Sequence, residues 1–398
     1  MNSVYPGWPF YGDGEISAVE KVLRSGKVNY WTGADCRDFE ERFASWAQCR
    51  HAISLANGTI ALELALRCLG VAQGDEVIVT PLSFMASASC VVTAGATPVF
   101  ADVDPQTGNL SAGTIKRAVT GKTRAVIAVH LGGIPCDMDP IMELAAQHGF
   151  YVIEDCAQAH GARYNGRSVG SIGHVSAWSF CQDKIITTGG EGGMITTSDA
   201  ALHDKIWRAK DHGKNVLLRA QREFSLSFSE TYQSVGTNGR MSGIQAAIGL
   251  AQLALIDGWN QKRVTNSVQL RDAVKGLSSL ACIPWRKGIE PAAYRETLHV
   301  KPDMLAKGWS RDAIVSELRS RGVPCSSGAA AELHRAPAFL PHLKQVPHTP
   351  AAAALAARSI AFCVHPTLET GHMAEIISSL RSVMGMAAAH AAPAPTMA

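Results

Sequence analysis

Lys184 follows the run Ser179-Phe180-Cys181-Gln182-Asp183 and precedes a stretch ending Gly189-Gly190-Glu191-Gly192-Gly193. A lysine just after an apolar strand is either a solvated loop residue or a Schiff-base nucleophile. Beside a phosphate site its amine could be depressed enough to act at neutral pH. Gly192 and Gly193 permit close backbone approach, and the run contains no G-x-G-x-x-G, so it is not a dinucleotide fingerprint. Upstream, Glu154-Asp155 end the apolar run Val152-Ile153. Strand alternation sends the two carboxylates to opposite faces, so only one can meet a given ligand, and a carboxylate buried there needs a cationic partner. Asp155 suits a protonated ring nitrogen, or else the N-cap of the next helix. His160, alone, reads as a hydrogen-bonded structural histidine.

Earlier still, Ala56-Asn57-Gly58-Thr59 opens a helical segment. Backbone N–H groups and the helix dipole at such a turn favour a phosphate, although a plain N-cap turn has the same appearance. Gly236-Thr237-Asn238-Gly239-Arg240-Met241 precedes another helix and reads, by itself, as a turn. The order of these features adds what no single one holds. A phosphate turn, an acidic strand end and a lysine are the three requirements of pyridoxal 5'-phosphate: a phosphate cup, an anion at the ring nitrogen and an amine for the aldehyde. The freed lysine is also the natural proton carrier.

Residues with this spacing need a scaffold. Apolar, β-rich stretches at 51–56, 76–80, 98–101, 125–130, 151–154, 175–180 and 193–197 alternate with helical stretches at 59–69, 83–94, 111–119 and 138–148. Alternation of this kind predicts an α/β fold with a mainly parallel sheet covered on both faces. Ligands of such sheets bind at the C-terminal strand ends, where all four features fall. After about residue 252 the pattern changes to long helices, at 260–277 and 310–321, with extended pieces at 297–300 and 323–326. Ser310 is an N-cap, and Gly322 with Pro324 ends its helix. The expected division is a cofactor domain over 1–255, a smaller α+β domain over 256–385 and a loose Ala/Pro-rich tail over 386–398.

Composition bounds the rest. The 398 residues are 46% hydrophobic and 18% charged, which excludes a disordered chain. With 37 basic and 34 acidic residues the net charge is +3, too balanced for a nucleic-acid partner. No apolar run approaches the roughly 20 residues of a membrane span, and the first residues lack the pattern of a secretory signal. Ten scattered cysteines without a Cys-x-x-Cys pair predict a reduced, cytoplasmic protein with no metal site.

The chain resembles the DegT/DnrJ/EryC1/StrS family, fold-type I pyridoxal phosphate-dependent aminotransferases acting mostly on nucleotide-linked keto sugars. The likeness rests on Asn57-Gly58-Thr59-Ile60-Ala61-Leu62, Gly74-Asp75-Glu76-Val77-Ile78-Val79-Thr80-Pro81, Gly95 through Val103, Glu154 through Ala162, Ser179-Phe180 through Lys184, Gly190-Glu191-Gly192-Gly193 and Asn238-Gly239-Arg240-Met241. The resemblance implies that Lys184 holds the cofactor as a Schiff base and shuttles the proton. It implies that Asp155 pairs with the pyridinium nitrogen, Gln158 bonds the phenolic oxygen and Phe84 stacks on the ring. Gly58 and Thr59 amides with the Ser179 hydroxyl bind the phosphate. Asn238 corresponds to a residue reaching the phosphate of the neighbouring subunit, which implies a homodimer. Arg240 and His160 are candidates for substrate or site support.

Dehydratases of this family carry histidine at the lysine position, so Lys184 implies transamination. The substrates implied are an amino-acid donor, glutamate foremost, and a nucleotide-linked 4-keto-6-deoxyhexose or 3-keto sugar, in ping-pong order. Aminotransfer to a cyclitol, formation of an aromatic amino acid and a non-catalytic regulator are the alternative readings. One departure stands out: Ser242-Gly243 occupies the place of the family's usual Ser/Thr-Glu.

Overall fold

The computed structural model describes residues 5–219, 227–328 and 332–388. Its large sheet has seven strands: β1 (His51–Leu55), β2 (Glu76–Val79), β3 (Thr97–Phe100), β4 (Thr123–Val129), β5 (Tyr151–Asp155), β6 (Val175–Ser179) and β7 (Gly193–Thr197). Their spatial order is β1-β7-β6-β5-β4-β2-β3. The neighbouring pairs from β6 to β3 are parallel, and β7 runs antiparallel to both β1 and β6. The sheet is therefore mainly parallel, as the alternating pattern required. Val, Ile and Ala dominate its central strands, and β2 and the last five residues of β4 are buried throughout.

Helices cover both faces. On one, Phe39 and Phe43 of the helix Asp35–Trp46 pack on Trp178 and Phe180, with ring centroids 5.2–5.5 Å apart where they meet. These edge and tilted ring geometries add to the burial itself. On the other, Ile141 and Leu144 of the helix Met138–His148 join Ile78, Val126 and Val152 in a second core. The sheet thus lies between two apolar layers, and its polar strand ends remain for ligands.

A second sheet, all antiparallel, comprises β8 (Leu280–Cys282), β9 (Arg295–Val300), β10 (Cys325–Ser327) and β11 (Ser359–Cys363) in the order β8-β9-β11-β10. Its core joins Leu298, Ile360 and Phe362 to Leu270 and Val274 of the helix Ile256–Val274 and to Ile376 and Leu380 of the helix Thr370–Ala387. Tyr5, from the far N-terminal end, packs into the same core. Ser310 caps its helix as expected, accepting from the Ala313 N–H at 3.1 Å. The final helix runs through Ala387, and most of the expected tail, from residue 389, lies outside the described residues.

One boundary matters for the site. The stretch expected to be helical from 83 forms a helix only over Ala86–Thr93. Ser83 instead pairs its hydroxyl with that of Ser87 at 2.9 Å, and Phe84 projects with 67% of its surface exposed. Serine's preference for local side-chain bonds over continued helix accounts for the difference.

Candidate active site

The C-terminal edge of the large sheet and the face of β9 enclose a cavity of about 710 Å³. Gly58, Thr59, Phe84, Asp155, Gln158, Ser179 and Lys184 all line it, joined by Tyr294 and Arg295. Seven of the ten residues singled out in the sequence therefore meet in one place, although they span 127 positions from Gly58 to Lys184.

The phosphate end is built by close backbone approach. Asn57 caps the helix Gly58–Cys68, its side chain accepting from the Ile60 N–H at 2.9 Å. A Cβ on Gly58 would stand 2.8 Å from Ser179 Cβ, and one on Gly193 would stand 2.3 Å from the Asn57 carbonyl oxygen. Only glycine lets the strand ends and the helix start come together this closely. The result is a helix N-terminus opening into the cavity beside the Ser179 hydroxyl, suited to an anion.

Alternation at the end of β5 separates the two carboxylates. Asp155 faces the cavity. Its Oδ2 accepts from Ser87 Oγ at 2.7 Å and its Oδ1 from the Ala157 N–H at 3.2 Å. Burial raises its carboxyl above the ordinary range, and Ser87, Ala157, Lys184 and His130 offset this only in part. Glu154 points the other way, into the protein. It accepts from the Gly170, Ile172 and Gly173 N–H groups at 2.7–2.9 Å and meets His130 Nε2 at 3.0 Å. His130 Nδ1 accepts from the Cys136 N–H at 3.0 Å, so Nε2 carries the proton and donates to Glu154. Burial opposes the Glu154 charge, but His130 and the backbone donors hold its carboxyl below the usual range. Cys156 lies near enough to His130 and Glu154 for a shared ion, but both carboxylate oxygens and both imidazole nitrogens already have partners. This cluster ties β5 to the loop before β6. Glu154→Gln turns an NH2 donor toward groups that are themselves donors and should cost ~3 kcal/mol, measurable as a lower urea midpoint of the cofactor-free protein at unchanged m-value.

At Gln158, Oε1 accepts from the Gly132 N–H at 2.7 Å, which orients the side-chain NH2 group for donation. The buried carboxylate, the oriented amide, the projecting Phe84 ring and the anion cup together fit a flat cationic ring that carries a phosphate.

Lys184 is only 14% exposed at its side chain and sits 3.2 Å from Asp183 Oδ1. Its Nζ lies 5.3 Å from the centroid of the Tyr294 ring. The Tyr294 hydroxyl donates to Asp183 Oδ2, and Arg295 Nη2 stands 3.8 Å from the same oxygen. Burial works against the ammonium, yet Tyr294 and Asp183 more than offset it and hold the Lys184 pKa above the ordinary lysine value. The expected depression of this amine is thus corrected: in the cofactor-free chain an adjacent carboxylate stabilises the charged form. Asp183, Tyr294 and Ser87 were not singled out in the sequence. Asp183 lay inside a quoted motif; Tyr294 follows Lys184 by 110 positions and carries no local mark. Neither did sequence reasoning find Trp8, whose indole donates to the Lys184 carbonyl at 2.7 Å while stacking with His365 and meeting Trp259 edge to face.

The remaining candidates lie outside the cavity lining. His160 is fully buried between Trp178 and Phe180, at centroid distances of 5.2 and 5.6 Å. Burial, with Lys184 and Arg263 nearby, pushes its imidazole down to about 3, so the ring is neutral. Arg240 pairs with the buried Asp211 at 2.5 Å, in a network that includes Trp31 Nε1 and Lys214. Asn238 is exposed and forms a backbone bridge with Asp211. Gly243 starts a helix against the Val28 carbonyl oxygen, 3.2 Å from where a Cβ would be. That crowding gives a physical reason for glycine at the position.

Among the described residues no helix is long and apolar enough to cross a membrane. The model of the DegT/DnrJ/EryC1/StrS aminotransferase family matches residues 11–381. The GDP-perosamine synthase of Escherichia coli O157:H7 is 42% identical over 245 residues, 62% of this chain and 63% of that enzyme, so the match spans less than two thirds of the relative's length. The dTDP-3-amino-3,4,6-trideoxy-alpha-D-glucose transaminase of Streptomyces venezuelae is 32% identical over 92% of this chain and 90% of its own. Among solved structures, an aminotransferase from Psychrobacter cryohalolentis superposes with a TM-score of 0.93 at 46% identity, covering 96% of this chain and 99% of the other. The fold, the clustered site and the match along nearly the whole chain agree that this protein belongs to the DegT/DnrJ/EryC1/StrS aminotransferase family.

Proposed function

We propose that this enzyme uses pyridoxal 5'-phosphate to move an amino group from an amino acid, glutamate foremost, to a nucleotide-linked 4-keto-6-deoxyhexose or 3-keto sugar. The observation that carries the reading is Lys184 and the buried Asp155 facing one cavity beside an anion cup. Relatives named for GDP- and dTDP-linked amino sugars support the acceptor class. When bound, the cofactor supplies an electron sink for the carbon that loses its proton.

The chain's own residues supply the rest. Gly58 and Thr59 amides and the Ser179 hydroxyl hold the phosphate. Asp155 keeps a proton on the ring nitrogen, the Gln158 amide donates to the phenolic oxygen, and Phe84 covers the ring face. Lys184 Nζ takes a proton from the donor's α-carbon and returns one to the acceptor carbon in the second half of the cycle. Asp183 favours the charged state of Lys184 after each proton is taken. In the same reading the enzyme is a homodimer, with Asn238 of a neighbouring copy completing the phosphate site; its exposure in the single chain supports this.

The test separates the two half-reactions. Glutamate should convert the visible spectrum of the bound cofactor to its amino form, and one of a panel of nucleotide-linked keto sugars should restore it. A panel in which only cyclitol ketones restore the spectrum would replace the acceptor.

A further inference from the structure

We infer that Arg295 binds the α-carboxylate of the amino-acid donor. This rests on the aminotransfer reading and extends it to the donor's recognition. Among the described residues, Lys184 and Arg295 are the only lysine or arginine side chains that line the cavity. His299 also lines it, but burial pushes its imidazole down to about 4, so it brings no positive charge. Asp155, Asp183, Glu191 and Glu296 make the remaining charged lining acidic. Both substrates are anions, and Glu296 is already paired with Arg271 at 2.9 Å. Lys184 is committed to the cofactor, so Arg295 is the cation that this chain's own lining leaves to receive one.

Geometry chooses which anion. Lys184 Nζ and Arg295 Nη2 approach the same Asp183 carboxylate, at 3.2 and 3.8 Å. A ligand group held by Arg295 therefore lies next to the amine that handles the proton. In an α-amino acid the carboxylate is attached to the reacting carbon. In a nucleotide-linked sugar the phosphates hang from the anomeric carbon, across the ring from a 3- or 4-keto group. The short spacing fits the amino acid.

Arg295 can turn toward a ligand. Its Nη2 stands 3.8 Å from Asp183, beyond a hydrogen bond, and its other partner is Tyr294, in hydrogen-bond and ring contact with the guanidinium, a neutral group that leaves the positive charge uncompensated. Tyr294 bonds the Asp183 carboxylate independently, so Asp183 keeps a partner when Arg295 turns to a ligand. The guanidinium fork suits bidentate carboxylate binding. Arg295 begins β9, paired with Cys363 of β11, which anchors its backbone in a sheet.

The experiment titrates the cofactor-loaded wild type, Arg295→Ala and Arg295→Lys with 2-methylglutamate, which cannot lose an α-proton, by perturbation of the visible band. Single-turnover rates with L-glutamate and with the nucleotide-sugar acceptor follow. Arg295→Ala should weaken 2-methylglutamate by roughly 10–100-fold, with partial rescue by lysine and an acceptor half-reaction little changed. Unchanged binding of 2-methylglutamate overturns the inference, and so does an equal loss for both substrates. If the alanine variant does not fold, Arg295→Gln keeps the bulk and removes the charge, with the same outcomes. A wild type whose spectrum no amino acid converts sinks the aminotransfer reading itself; conversion that is insensitive to position 295 sinks only the inference.

Discussion

Lys184→Ala should remove the visible band expected of the cofactor's link to the chain and lower overall transfer by about 10⁴-fold, the span that a nucleophile and positioned acid–base group supply. The protein should remain folded, because Lys184 Nζ contributes only a part-exposed ion pair with Asp183. The carbonyl that accepts from Trp8 belongs to the backbone and survives the substitution. The informative control is a small exogenous amine. If Lys184 acts as a proton carrier, methylamine should recover part of the rate with a pH dependence set by its own pKa. A variant with an unchanged spectrum would show that another amine carries the cofactor. Loss of the band with full retention of transfer would separate linkage from proton transfer. Because Tyr294 and Asp183 together outweigh burial and favour the charged Lys184 amine in the cofactor-free chain, cofactor loading of the wild type should be slow at neutral pH and quicken as pH rises toward the lysine pKa. Asp183→Asn should shift that rise to lower pH.

The features legible in the sequence were those whose physics is local. Two adjacent carboxylates at the end of an apolar strand divide between faces by alternation alone, and Glu154 and Asp155 do so. Asn57 and Ser310 announce helix starts because capping involves residues three apart. The alternation of apolar strands and helices foretold the parallel sheet, though not that β7 would run against its neighbours. What escaped is carried by tertiary contact. Tyr294 and Arg295 reach Asp183 from another sheet, and Trp8 reaches Lys184 from 176 positions away. The sign of the Lys184 shift was likewise hidden, since apolar neighbours and a carboxylate push an amine in opposite directions and their balance depends on distance. Ser83 and Phe84 carried a helix-compatible pattern, but with the Ser83 hydroxyl paired to that of Ser87 the helix starts only at Ala86 and leaves the ring projecting.

Asp155→Asn should make the cofactor-free protein more stable while making the enzyme worse. Asp155 is 5% exposed, and among the described residues its side chain receives one hydroxyl and one backbone N–H and no cation in hydrogen-bond contact. Its carboxyl titrates above the ordinary range because burial penalises the charge. The linkage sign follows. Between the unfolded value, near 3.9, and the raised folded value, the native state holds more protons than the unfolded one. Stability attributable to this group is therefore whole below the unfolded pKa and falls as pH rises through the folded pKa. Above the raised folded pKa the wild type bears the cost of a buried anion, whereas asparagine bears none: its Oδ1 can accept from the Ala157 N–H while its NH2 donates to Ser87 Oγ. Without cofactor the variant should melt higher than the wild type above that pKa and match it more nearly as pH falls below it. With cofactor the order reverses. A neutral amide cannot keep a proton on the ring nitrogen, so the electron sink weakens, and transfer should fall by about 10³-fold, the upper end of what loss of one oriented electrostatic group costs. Cofactor should also protect the wild type against heat far more than the variant, since only the wild type gains an ion pair on binding. Equal protection of the two proteins would mean that Asp155 does not meet a cationic ring.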